Sequence, residues 1–368
     1  VIEAARAAGA DVVRIAPADA LAATRERLAA SFARGDLATW PYDARYAGAA
    51  ADPRTLLANA RSVVCVAVAY AVPARAPERG RGRVSVYAWP DDYHRRMRAL
   101  LQRIAATVAG LGGAAAVACD TAPIAERAFA ERAGIGWVGK HTNLIAPGLG
   151  SYVFLGEVVT SLELAADAPL RKSCGSCSRC VRSCPTGALR GDRTIDATRC
   201  ISDLTQRRDP IPPALRPLVG TWVWGCDLCQ DACPPTARAP RDATAADASG
   251  DETRAPTLQR LLALRSREFK RRYARTAMGW RGAAILRRNA AVALGNTLDR
   301  ADVPALAASL RGDPHALVRA HAAWALGRIG SPQALAALRS ATEREADGLV
   351  RDEIHAALHA FSKSAAVP

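Results

Sequence analysis

No apolar run in this 368-residue chain approaches the ~18–20 residues that a membrane-spanning helix needs. The best candidate, Val63 to Ala74, contains Pro73 and is flanked by Arg61 and Arg75, so it reads as a buried strand. Lysine is nearly missing. Lys140, Lys172, Lys270 and Lys363 are the only four among 50 basic residues, and arginine supplies the rest. Against 35 acidic residues the formal charge is +15. That excess points to an anionic partner, nucleic acid or an acidic membrane surface. The chain is also alanine-rich, so part of the arginine excess is compositional, and position matters more than count. Half the residues are hydrophobic, which argues against overall disorder. The length allows two or three domains.

Cysteine is what the chain has in concentration. Of ten, eight fall between Cys174 and Cys233. Disulfides belong mostly to small secreted domains, whereas these cysteines have metal spacing. Cys174, Cys177, Cys180 and Cys184, followed by Pro185, form C-x2-C-x2-C-x3-C-P, the bacterial ferredoxin run, in which the fourth thiolate serves the other cluster. Cys226, Cys229 and Cys233, followed by Pro234, repeat it one cysteine short, and Cys200 supplies the missing ligand. The assignment closes at four plus four. Cys174, Cys177, Cys180 and Cys233 hold cluster one; Cys184, Cys200, Cys226 and Cys229 hold cluster two. Two all-cysteine zinc sites would use the same eight thiolates, but zinc ribbons rarely use a four-cysteine run ending in Pro. Cys65 and Cys119 lie in apolar strand-like runs and read as buried structural thiols. Two 4Fe–4S clusters imply single-electron transfer to a further centre.

The expected fold is multidomain, α/β plus α. Residues 1–165 alternate helix and strand patterns: helices at 1–8, 20–34 (amphipathic) and 93–111, strands at 11–15, 62–70, 114–119 and 151–159. Apolar residues at 97, 100, 101, 104 and 108 give the third helix one buried face. Residues 166–240 form a ferredoxin-like segment, 241–257 a polar linker, and 258–368 a basic helical domain. Arg287, Arg319 and Arg351 recur every 32 residues, as do Leu294, Leu326 and Leu358. That period in Ala-rich helices reads as a short HEAT-like solenoid, with chance in an Ala/Leu-rich sequence as the alternative. The repeated Arg is expected to form a basic ridge. Just ahead, residues 265–288 hold nine basic residues and one acid, with Phe269, Tyr273 and Trp280 interleaved. Basic groups for phosphates and aromatic faces for bases suit RNA, whereas a solvated helix face is the plainer reading. The expected RNA contacts are Lys270, Arg271, Arg272, Arg275, Arg281, Arg287, Arg288 and Arg319.

In combination and order, these motifs resemble the epoxyqueuosine reductase family. The resemblance runs through Asp92-Tyr-His94, Asp120-Thr-Ala-Pro123-Ile-Ala-Glu126-Arg127, Ala133-Gly-Ile-Gly-Trp-Val-Gly-Lys-His141, Phe154-Leu-Gly-Glu157 and the cluster cysteines. It continues through Cys200-Ile-Ser-Asp-Leu-Thr205, Ile211-Pro, Leu215-Arg-Pro217, Gly225-Cys-Asp-Leu-Cys-Gln230 and Arg287-Arg-Asn289. It implies a cobalamin cofactor, base-off, that takes electrons from the clusters and reduces epoxyqueuosine in a tRNA anticodon loop to queuosine. It also implies a cytoplasmic enzyme, expected to be a monomer away from membranes, served by an unidentified reductant. The family's proton donor maps to Asp120, whose carboxyl is expected to be buried near the corrin and raised in pKa. Asp120 follows a strand's carboxyl end, where open α/β sheets place ligands. As the alternative, Asp120 caps a helix starting near Pro123. Cobalamin contacts map to Asp120, Leu144, Leu155, Ser202, Arg207, Cys226 and Asp227, with Lys140 and His141 lining the same pocket. The cobalamin motif D-x-H-x-x-G is absent, so Asp92-Tyr93-His94 reads as helix-start packing. Ala50 replaces a family Arg, Thr39-Trp-Pro-Tyr42 departs from the family pattern, and the start at Val1 points to missing N-terminal residues. The rivals are a cobalamin-dependent reductive dehalogenase-like oxidoreductase and an electron-transfer iron–sulfur protein without a corrin.

Overall fold

A computed structural model describes residues 1–73, 78–89, 91–242 and 251–365. Residues 243–250 of the expected linker lie outside them. The chain divides into two compact units, and it passes between them more than once. The first comprises Val1–Pro73, Asp92–Cys200 and Asp227–Ala246; the second comprises Ala74–Asp91, Ile201–Cys226 and Asp247–Pro368.

The first unit is built on a four-stranded sheet of β1 (Val12–Pro17), β2 (Ser62–Ala69), β3 (Ala115–Ala118) and β4 (Val153–Thr160). Their order is β1-β2-β4-β3. Every neighbouring pair is antiparallel, with Cys65 and Ala118 both opposite Glu157. The strand-end rule for parallel sheets therefore does not account for the position of Asp120. β2 is central, and Val63 to Val68 are wholly buried, which is why its run is continuously apolar. Helix α1 (Ile2–Ala7) opens the unit, α2 (Ala22–Ala33) follows β1, and α3 (Ala44–Ala51) precedes β2. Helix α2 forms where the amphipathic pattern was read, yet it buries no residue fully.

Helix α4 (Tyr93–Gly110) buries Met97, Leu100, Leu101, Ile104 and Val108, the predicted face. It packs closely on β4: a Cβ on Gly156 would stand 2.9 Å from a Leu101 methyl. Helix α5 (Glu126–Arg132) supplies Phe129 and Ala130 to a core cluster with Cys65, Ala118 and Val159. The sheet thus separates α4 from α5, and the turn joining β3 to α5 carries Asp120.

The second unit ends in a helical stack of α6 (Ala283–Thr297), α7 (Val303–Gly312), α8 (Ala316–Ile329), α9 (Pro332–Thr342) and α10 (Gly348–Ala365). The repeated Leu-Gly has a steric origin. A Cβ on Gly295 would lie 2.8 Å from Ala325 Cβ, and one on Gly327 would lie 2.5 Å from Ala357 Cβ. Glycine therefore lets α6 and α8, and α8 and α10, approach closely, while Leu294 and Leu326 are fully buried.

Candidate active site

The turn after β3 is pinned from two sides. Asp120 takes a left-handed backbone conformation, φ 56°, which a non-glycine residue holds only when its surroundings fix it. Its amide N–H donates to Glu126 Oε1 at 2.5 Å. Its Oδ2 lies 3.0 Å from His94 Nε2, and His94 Nδ1 lies 2.6 Å from Asp92 Oδ1. Asp92 also caps α4, accepting the His94 amide. The Asp120 hydrogen bond, reinforced by Asp92, pushes the His94 pKa up to about 9 against the opposing effect of burial. At neutral pH His94 is therefore an imidazolium with both nitrogens donating. Asp92-Tyr93-His94 begins a helix, as expected, and it also reaches the Asp120 turn. The helix after that turn starts at Glu126 with Ala125 as its cap, so Asp120 is not a helix cap. Its side chain is 56% exposed, and burial falls instead on the residues beneath it.

His141 is 2% exposed, and burial lowers its pKa to about 4, so the ring is neutral. Its Nδ1 accepts the Asn143 amide at 3.2 Å. Its Nε2 is buried without a hydrogen-bond partner among the described residues, which fits a wall that a bound polar group completes. Lys140 Nζ donates to the Gly175 carbonyl at 2.9 Å, tying this loop to the cysteine segment. Leu144 is buried, in a short ladder of Trp137–Val138 with Leu144–Ile145. Leu155 stands on β4, and Asp227 is buried.

No disulfide joins any of the ten cysteines. Four thiols of the first unit gather. Cys174 packs against a small cluster of Trp137, Ile145 and Cys233, burial raises Cys180 and Cys233, and each is raised further by Cys174. Cys177 acts on Cys233 in the same way. These are the four cysteines expected to hold cluster one, and an all-sulfur donor set would suit soft iron–sulfur iron. Of the second set, Cys184, Cys200 and Cys229 lie in the first unit and Cys226 in the second. Cys65 is wholly buried and Cys119 partly, in line with the structural role expected of them.

In the second unit, Ser202 accepts from Gln206, and the Arg207 guanidinium pairs with Asp203. The segment carrying them is held by α6. Arg288 donates to the carbonyls of Leu204, Arg207 and Asp209, and Asn289 to those of Thr205 and Val223. This corrects part of the expected RNA surface. Arg288 is wholly buried and belongs to that scaffold. Arg287 is 8% exposed and chelates Asp313; Arg319 chelates Glu345. Both pairs span 26 residues, so Arg287 and Arg319 are internal staples; Arg351, the third member of the repeat, is exposed, and the three do not make a continuous basic ridge. Arg272 pairs with Glu252 and Glu268, and Arg275 with Asp91. Phe269 and Tyr273 are core residues, 9% and 2% exposed, so neither presents a face to a base. Lys270 and Arg271 are exposed, and Arg281 lies 3.6 Å over the half-exposed Trp280 ring. Sequence reasoning missed Glu126 and His94. Both stood in quoted motifs, but their meeting at Asp120 joins two separate helices.

Comparison with known proteins agrees along the whole chain. Residues 51–121 match the family model for epoxyqueuosine reductase (QueG, DUF1730). Residues 173–236 match that for a 4Fe-4S double cluster binding domain, and 281–359 that for HEAT repeats. The epoxyqueuosine reductase of Bacillus subtilis (strain 168) is 32% identical over 370 residues, covering 99% of this chain and 95% of the relative. That of Bacillus anthracis is 35% identical over 319 residues, 85% and 84% of the two chains. A crystal structure of epoxyqueuosine reductase with an epoxyqueuosine-modified tRNA-Tyr stem loop superposes with a TM-score of 0.92 at 32% identity, covering 98% of this chain and 97% of that one. The enzyme from Streptococcus thermophilus gives 0.89 at 29% identity, covering 98% of each. These matches show that the chain, with its eight closely spaced cysteines and its pinned Asp120 turn, belongs to the epoxyqueuosine reductase family.

Proposed function

We propose that this protein reduces epoxyqueuosine to queuosine within the anticodon loop of tRNA, with Asp120 as the proton donor. The reaction consumes two electrons and two protons and releases the epoxide oxygen as water. Two 4Fe–4S clusters and cobalamin, when bound, supply single electrons and a low-valent cobalt. Cys174, Cys177, Cys180 and Cys233 would hold the first cluster, and Cys184, Cys200, Cys226 and Cys229 the second. Lys140, His141, Leu144, Leu155, Ser202, Arg207, Cys226 and Asp227, with Asp120, would line the cobalamin site.

The chain's own task is to hold and move a proton. The observation that supports this reading is the His94–Asp120 hydrogen bond of 3.0 Å. His94 is protonated at neutral pH, and its Nε2–H donates to the Asp120 carboxyl. The proton for the departing oxygen passes from His94 Nε2 to the Asp120 carboxyl and on to that oxygen, leaving the His94 ring neutral, while Asp92 on Nδ1 stabilises the ring's charge before transfer. The tRNA would meet the exposed Lys270 and Arg271 and the Arg281–Trp280 stack. This reading places the enzyme in the cytoplasm with its tRNA. No helix among the described residues is long and apolar enough to cross a membrane.

The test is anaerobic turnover of epoxyqueuosine-containing tRNA with cluster-loaded protein and a chemical reductant, cobalamin added or withheld. Queuosine should form only when cobalamin is present. Equal conversion without it would sink the cobalamin assignment, and no conversion in either arm would sink the reaction itself.

A further inference from the structure

Beneath the Asp120 turn lies a carboxyl that the proposed reaction does not use. Glu157 sits mid-strand on β4, with Cys65 of β2 and Ala118 of β3 as its cross-strand partners. It is 0% exposed, and neither carboxyl oxygen has a hydrogen-bond partner among the described residues. Val153, Leu155 and Val159, which share its face at two-residue spacing, pack into the apolar cluster with Phe129 and Ala130 of α5. An ionised carboxylate there would have neither water nor a donor, so the neutral acid is the form the site admits. Glu126, the first residue of α5, is the near neighbour whose charge also acts against ionisation of Glu157. It is Glu126 that accepts the Asp120 amide.

The two carboxyls thus have different surroundings. Glu126 has a hydrogen bond from Asp120 and the favourable charges of Arg127 and His94, although burial still pushes it up to about 7. Glu157 has neither. Of the other titratable groups around them, Cys65 on β2 and Cys119 after β3 are thiols raised by burial, Tyr46 on α3 is pushed up to about 12, and the charge of Arg98 on α4 acts on Cys119.

We propose that Glu157 is held as a neutral carboxylic acid so that one negative charge, on Glu126, stands under the turn, and that Glu126 is the positioning residue which fixes Asp120 through its amide. A left-handed Asp120 aims its carboxyl at His94; the ionised Glu126 accepts the Asp120 amide more strongly than a neutral acceptor would, and without an acceptor beneath the turn loses the hydrogen bond that fixes it. The proposal rests on the reading of Asp120 as proton donor, and its two parts are tested separately.

Infrared spectra of the full cluster-bearing chain, with 13C-labelled glutamate, read Glu157 without turnover. A glutamic acid carbonyl band should persist at about pH 8.5 in the wild type, where ordinary carboxyls are ionised, and should vanish in Glu157→Gln. Its absence from the wild type overturns the neutral-acid assignment whether or not any variant folds. Single-turnover reduction of epoxyqueuosine-tRNA across pH reads Glu126. The wild-type rate should rise through about pH 7 as Glu126 ionises. Glu126→Gln, whose amide oxygen can still accept the Asp120 N–H, should lose that limb, and Glu126→Leu, which has no acceptor, should also slow the plateau on the order of 10–100-fold, the cost of a misplaced catalytic group. A limb retained in Glu126→Gln overturns the positioning role. A wild type that never turns over refutes the reaction, and the infrared band still decides the state of Glu157.

Discussion

Substituting Arg319 with Met separates a structural staple from a phosphate contact. The Arg319 Nε–Glu345 Oε2 and Nη2–Oε1 distances are 2.7 and 2.9 Å, and the side chains are 18% and 9% exposed. A third bond reaches the Asp313 carbonyl at 2.9 Å. Breaking a fully buried pair costs about 3–5 kcal/mol because the surviving charge is left without compensation. Residual solvent access brings the expected cost of R319M to about 2–3 kcal/mol. For a unit of this size that is a fall in Tm of roughly 5–10 °C. E345Q should cost a similar amount, and the double variant less than the sum, by about 1–2 kcal/mol. The pH dependence has a definite sign. Arg319 holds the Glu345 carboxyl below its ordinary value, so the pair's contribution is full above that value and disappears as pH falls through the lowered one. The stability gap between wild type and R319M should therefore close in acid. The assay is thermal and denaturant unfolding of the intact protein, paired with the salt dependence of tRNA-stem-loop binding. R319M should leave the salt slope unchanged. A loss below about 0.5 kcal/mol together with a slope reduced by about 0.9 would refute the staple and make Arg319 a phosphate contact.

Asp120→Asn should retain iron, sulfide and cobalamin but lose turnover by about 10²–10⁴-fold; a wild-type rate would end the proton-donor role. The His94 ion pairs should stabilise the protein fully below the ordinary histidine value and lose that contribution as pH rises through about 9. His94→Gln should lack the alkaline loss, which is under about 1 kcal/mol for groups this exposed, as read by Tm from pH 6 to 10. Cys233→Ser should shed about four of eight irons, whereas Cys65→Ser should shed none; equal losses would undo the ligand assignment. Neutralising Lys270 and Arg271 should weaken stem-loop binding and flatten its salt slope by about 0.9 per lost contact, and an unchanged slope would move the RNA site elsewhere.

Sequence alone determined what is written in spacing. The ferredoxin run and its shortened repeat supply seven of the eight expected ligands, with Cys200 as the eighth, because a cubane constrains the loop that wraps it. The apolar period of α4 gave its buried face residue by residue, because helix geometry is local. The 32-residue period revealed the stack, since each helix pair repeats one packing problem. What spacing cannot carry is the partner of a charge. Arg288 and Arg319 read as surface cations because arginine usually is one, and Phe269 and Tyr273 read as stacking faces beside them. Tertiary structure turned all four inward, by supplying carbonyls, a carboxylate and a core. The Asp120 site followed the same rule. Its residues were visible in the motifs, but the sheet registered Glu157 under Glu126, and α4 brought His94 to the far side of the turn. Those approaches join positions 26 and more residues apart, and it is they that fix where the protons sit.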